Sequence, residues 1–161
     1  MRSLFTICIV FILNFSFAQT KDETQGWIEN KIEEFPYVKS GVINNYSVSF
    51  VNGNMNLIKN LIMDVGGIKS DVSTTYSVPI KEISLVKFEV KENNVWLTIR
   101  TNNGVKNISS KVDFETKTDY LNEFTIILSS DFKSNDMINR AKKAFNHLIV
   151  LYGGKVQKET F

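Results

Sequence analysis

The chain has 161 residues, 43% of them hydrophobic, with 19 Lys and Arg against 17 Asp and Glu and a single cysteine, Cys8. That is the size and apolar content of one folded domain. A charge balance this close to neutral argues against a dedicated nucleic-acid binder or a polybasic membrane module.

The first residues read as an export signal rather than as part of a fold. Met1-Arg2 opens positively, Leu4 to Phe17 is an apolar run broken by Thr6, Asn14 and Ser16, and Ser16-Phe17-Ala18 carries small residues at both positions a signal peptidase reads. We expect a signal peptide over residues 1–18, cleavage near Ala18, and an exported protein, periplasmic or extracellular, starting at Gln19. The run is short for a bilayer span, so stable membrane insertion of the mature chain is not expected. Cys8 leaves with the signal, and residues 19–161 then offer no disulfide, thiol nucleophile or thiolate ligand. No Pro- or Gly/Ser-rich linker and no internal repeat interrupts them, so one domain is the simple reading.

Residues 22–35 read as a helix. Trp27, Ile28, Ile32 and Phe35 fall on one side, Glu23, Glu29, Lys31, Glu33 and Glu34 on the others, and Pro36 ends it. From Gly41 the period changes to two. Val42, Tyr46, Val48 and Phe50 lead to Asn52-Gly53, a two-residue hairpin signal. Met55, Leu57, Leu61, Met63 and Val65 continue the alternation with Lys59 out of pattern, and Gly66-Gly67 marks the next turn. Val72 to Ile80 alternates again, Pro79 suggests a strand end, and the spacing of Ile80 and Ile83 predicts a bend or bulge.

Val86, Phe88 and Val90 precede a turn at Asn93-Asn94. Val95, Leu97 and Ile99 then face in while Trp96, Thr98 and Arg100 face out. Asn103-Gly104 reads as a second hairpin. Ile108 to Val112 is a weaker strand, residues 113–120 a polar loop, and Phe124 to Leu128 the last strand.

Residues 134–152 form the clearest element. Met137, Ile138, Ala141, Ala144, Phe145, Leu148, Ile149 and Tyr152 make one broad apolar helical face. Ser134 is placed as its N-cap, Asp136 suits the first turn, and Gly153 is placed to stop it. The expected class is α+β: a seven-stranded antiparallel curved sheet or partial barrel across residues 42–129, closed by this C-terminal amphipathic helix, with an extra N-terminal helix.

Strands in succession followed by such a helix resemble the pleckstrin-homology-like superfold, and VPIKEISLVKFEV, residues 78–90, is similar to the middle strands of PH-like and GRAM-like domains. That resemblance covers about residues 42–152 and implies an incomplete barrel with the helix at one open end. It implies no phosphoinositide site, because the first hairpin tip is Asn52-Gly53-Asn54 rather than a basic cluster. The Glu-Thr-x-x-Trp-Ile segment from Glu23 to Ile28 and the segment from Ala144 to Lys155 also resemble a family of small exported bacterial proteins for which no activity is implied.

Chemistry-bearing patterns are sparse. His147 is the single histidine and falls off the apolar face, which leaves no usual zinc set and no expected metal or cofactor. No phosphate-binding Gly-rich loop or nucleophile elbow is present, so no catalytic residue is assigned. Glu33-Glu34 point apart on a helix and read as solvated. The partner-contact candidates are Trp27, Trp96 and Arg100. Trp27 reads as an anchor in a core or groove, with ligand stacking as the alternative. Trp96 reads first as lying under the N-terminal helix, with a binding spot beside Arg100 on the same strand face as the alternative. The expected role is a noncatalytic binding or accessory module of the cell envelope with a protein or peptide partner. The alternatives are a carrier of a small apolar ligand and a hydrolase built on two facing carboxylates.

Overall fold

The computed structural model describes residues 20–156, so the expected signal peptide, with Cys8 and the cleavage position at Ala18, lies outside the described residues. Helix α1, Lys21–Glu33, opens with a reciprocal cap. The Thr20 hydroxyl accepts the Glu23 N–H at 3.2 Å, and the Glu23 carboxylate accepts the Thr20 N–H at 2.8 Å. Two donors that a helix start leaves unpaired are thereby satisfied. Ile28 and Ile32 are buried. The helix stops short of Phe35, because Pro36 pushes the residue before it out of the helical region. Phe35 then meets Phe132 edge-on at 5.3 Å.

Nine strands follow: β1 Tyr37–Lys39, β2 Val42–Val51, β3 Asn54–Val65, β4 Ile68–Pro79, β5 Ile83–Lys91, β6 Asn94–Thr101, β7 Ile108–Val112, β8 Asp119–Leu121 and β9 Glu123–Leu128. They make two antiparallel sheets, ordered β1-β2-β3-β4-β7-β8 and β5-β6-β9. The class is α+β, and the sheets do not close into a barrel. The two strands beyond the expected seven are β1 and β8, each three residues long. Segments that short show no alternation; they are strands because a neighbour pairs with them.

One expected hairpin is absent. Asn52-Gly53 and Gly66-Gly67 do join paired strands, β2 to β3 and β3 to β4. Asn103-Gly104 does not: Asn102–Gly104 is a short 3-10 turn from which the chain crosses to the other sheet. β6 pairs with β9, and β7 pairs with β4. The Thr101 N–H, which a β6–β7 hairpin would have used, bonds instead to the Asn122 carbonyl at 2.9 Å.

The closing helix starts later than the expected cap at Ser134 implies, at the first residue of its apolar face. Ser130–Asp136 is a 3-10 segment broken at Ser134 and Asn135, and helix α2 runs Met137–Leu151. Ser134 is therefore not the cap. Asn135 and Asp136 both take left-handed backbone, at φ 53° and 56°, which short polar side chains tolerate. The detour carries Phe132 into the core, where it is fully buried and stacks on Phe88 at 5.7 Å.

The C-terminal Gly-Gly has two separate reasons. Gly153 is left-handed at φ 79°, the conformation that ends a helix at least cost when there is no side chain. At Gly154 a Cβ would lie 2.8 Å from the carbonyl oxygen of Lys81. That contact seats the end of α2 on the 3-10 turn Ile80–Glu82, which links β4 to β5. Phe145, Leu148 and Ile149 are all buried.

Candidate functional site

The three residues singled out in the sequence do not converge on one site. Trp27 packs partly buried against the core, with the Arg140 guanidinium of α2 5.6 Å from its ring centroid, so it works between the two helices. Trp96 lies on the outer face of the short sheet, since Val95, Leu97 and Ile99 on the other face are fully buried. α1 packs along β2 and against α2 rather than over β6. What stands beside Trp96 is the ammonium of Lys91, 5.4 Å from the ring centroid.

Arg100 shares that outer face and is pinned to Glu123, its cross-strand partner, at 2.6 Å. Both side chains are about half exposed, so the pair is a surface contact worth roughly 0.2–1 kcal/mol. Between Trp96 and Arg100, Thr98 and Thr125 share a hydroxyl hydrogen bond at 2.9 Å. Glu89 sits between Lys87 and Lys91, at 2.9 and 3.0 Å, and hydrogen bonds from Lys87 first and Lys91 second hold its carboxyl below the usual range. The outer face is thus a self-paired polar surface around one tryptophan.

An open cleft of about 390 Å³ lies near one end of that face. Phe35, Pro36, Val38, Asn94, Ser129 and Asp131 line it. Its backbone is already paired across the floor, where Ser129 N–H donates to the Phe35 carbonyl at 3.2 Å.

A third candidate comes from the register of the long sheet. On its inner face Met55 and Leu57 of β3 are fully buried, but the next inward positions, Lys59, Leu61 and Met63, are only half-buried. Lys59 stands opposite Tyr46 and Thr74, Leu61 opposite Asn44 and Val72, and Met63 opposite Val42 and Ser70. Thr74 in turn faces Val112 across β7. Val42, Val72, Thr74 and Val112 are half-buried as well. The inner face therefore runs from a dry core at the α2 end to a half-open apolar surface at the far end. The change comes just beyond Tyr76, which stacks on Phe124 of the short sheet at 4.6 Å.

Two polar features stand on that half-open surface. Lys59 makes no ion pair or hydrogen bond among the described residues. Asn44 is 6% exposed, and its Oδ1 is the one buried side-chain polar atom without a hydrogen-bond partner among the described residues. Native proteins leave few such atoms, because stranding one costs about 1–3 kcal/mol. Tyr46, next along β2, is satisfied: its hydroxyl donates to the Ile127 carbonyl at 2.6 Å, and burial raises its pKa well above the usual tyrosine range.

Sequence reasoning noticed Lys59 as a break in the alternation but had no means to see its neighbours. It missed Asn44, although the inward series Val42, Tyr46, Val48 skips that position. Glu33 is not the solvated carboxylate that its place on the helix suggests. Its carboxylate instead accepts the Val48 N–H at 2.9 Å and the Ser47 hydroxyl at 3.1 Å, along the part of β2 that β1 does not reach. Among the described residues no group of three or more His, Cys, Asp or Glu side chains is arranged to hold a metal ion. No helix among them is long and apolar enough to cross a membrane. No family model matches the chain, and neither a curated protein nor a solved structure matches it.

Proposed function

We propose that this protein is an exported, noncatalytic binding module of the cell envelope, and that its ligand seat is the half-open end of the long sheet's inner face. The observation that carries this reading is the gradient along β3, from Met55 and Leu57, each 1% exposed, to half-buried Lys59, Leu61 and Met63 on the same face. Apolar side chains left half in water gain roughly 25 cal/mol for each Å² that a ligand covers. The seat's half-buried apolar side chains are few, Leu61, Met63, Val42, Val72 and Val112, which favours a small amphiphilic or apolar ligand over a folded partner.

The finer architectural reading is pleckstrin-homology-like. Two antiparallel sheets with α2 against one end support it: Tyr152 reaches the β2–β3 turn at Gly53, and Gly154 meets Lys81. The six-plus-three division of strands departs from the seven-strand plan. The noncatalytic reading draws support from the carboxylates, several of which already have structural partners: Glu33 on β2, Glu123 on Arg100 and Glu92 on Lys39.

Titration of the purified protein with the neutral apolar dye N-phenyl-1-naphthylamine tests the seat. A saturable fluorescence rise is expected, weakened in Leu61→Asp. The reading is withdrawn if the dye does not bind saturably, or if Leu61→Asp binds it as the parent does.

A further inference from the structure

Resting on the seat just described, we infer that its ligand is a single-tailed amphiphile whose head joins an anionic group to an N–H or O–H donor. The tail requirement follows from Leu61, Met63, Val72 and Val112, four half-buried apolar side chains on or bordering one continuous inward face. The anion requirement follows from Lys59. An ammonium among apolar neighbours is normally offset by a carboxylate, yet on this face its cross-strand neighbours are Tyr46 and Thr74. The acidic groups on the strands of this sheet are committed or turned away. Asp119, further along the inner face, pairs with Lys117 at 3.2 Å, and Asp64 and Asp71 alternate onto the outer face.

The donor requirement follows from Asn44. It lies diagonal to Lys59, one strand over and two residues along, a spacing of about 7–8 Å between such neighbours. Its amide oxygen is buried without a partner. A head group that sets an anion on Lys59 and a donor a few bonds away on Asn44 satisfies both at once. A carboxylate separated from its tail by an amide, as in an N-acyl amino acid, has that shape. An anion next to an ammonium in a partly desolvated site is also the stronger kind of hydrogen bond.

The test uses N-dodecanoylglycine, which carries the tail, the anion and the N–H. Two analogues each lack one feature: its methyl ester has no anion, and N-dodecanoylsarcosine has no N–H. Binding to the purified protein is followed by amide NMR shifts below the micelle concentration. Shifts are expected at Asn44, Lys59, Leu61 and Thr74, with both analogues binding about tenfold more weakly. Lys59→Gln should bind the acid and the ester alike, while Lys59→Arg keeps the preference for the acid. Asn44→Val should bind the glycine and sarcosine acids alike.

If the ester binds at these residues as tightly as the acid, the head-group inference falls while the seat itself stands. Equal binding of the glycine and sarcosine acids to the parent overturns the donor part. If none of the three compounds shifts these amides, the inference and the ligand seat fall together. Well-dispersed spectra of each variant separate lost binding from lost folding.

Discussion

The hydroxyl of Tyr46, on β2 of the long sheet, donates to the Ile127 carbonyl at 2.6 Å and accepts the Ile127 N–H at 3.3 Å. Ile127 belongs to β9, which has only one strand beside it, so a side chain supplies what a further strand would otherwise provide. One phenol thus ties together two sheets that do not close. Tyr46→Phe leaves both peptide groups of Ile127 without that partner at little change in volume. A loss of roughly 1–3 kcal/mol is expected, read as a lower urea midpoint. An unchanged midpoint would show that water replaces the hydroxyl at no cost.

The same residue gives a pH dependence. Burial raises the Tyr46 pKa, with the Ile127 hydrogen bond opposing it as the second cause. The unfolded chain releases this proton near pH 10, the ordinary tyrosine value, whereas the folded chain keeps it to higher pH. The contribution is fully present below pH 10 and is lost as pH rises through the folded pKa. Urea unfolding at pH 8 and pH 10.5 should show a larger drop for the parent than for Tyr46→Phe. Burial raises Tyr76 in the same direction, so the variant retains part of the drop. Identical drops in the two proteins would contradict the assignment to Tyr46.

Glu33 guards a strand edge. Its carboxylate holds the Val48 N–H at 2.9 Å, where β2 would otherwise show an open donor. Glu33→Ala should cost about 1 kcal/mol and speed hydrogen exchange at the Val48 amide selectively, while Glu33→Gln, which keeps an acceptor, should restore much of the protection. Unaltered Val48 exchange in Glu33→Ala would mean that the contact does not persist in solution.

The two C-terminal glycines should respond differently. Gly153→Ala pays the left-handed backbone cost of roughly 1 kcal/mol. Gly154→Ala forces a methyl against the Lys81 backbone and the Ile149 side chain, at 2.8 and 2.7 Å, and should cost about 1–3 kcal/mol. Thermal unfolding of the two variants orders them; Gly154→Ala at least as stable as Gly153→Ala would refute the close approach.

Asn44→Val removes a buried amide whose oxygen has no partner and places a β-branched side chain in a strand. A gain of about 1 kcal/mol in the unliganded protein is expected, read from urea unfolding. Such a gain marks Asn44 as a residue kept at the expense of stability. A loss of several kcal/mol would mean that the amide is satisfied after all.

Much of this was legible beforehand, and the limits fall along a physical line. Alternation along Val95, Leu97 and Ile99, the turns at Asn52-Gly53 and Gly66-Gly67, and the apolar face of residues 137–152 are properties of a few neighbouring residues, so the chain alone determines them. Which strand lies beside which is not local. Asn103-Gly104 has the composition of a hairpin, yet β6 pairs with β9 and β7 with β4, because pairing is decided by tertiary packing, which a local turn signal does not carry. The same holds for Glu33, Tyr46 and Lys59. Their side chains are ordinary in sequence, and only the docking of α1 on β2, of β2 near β9, and of Lys59 diagonal to Asn44 gives each its partner or leaves it without one.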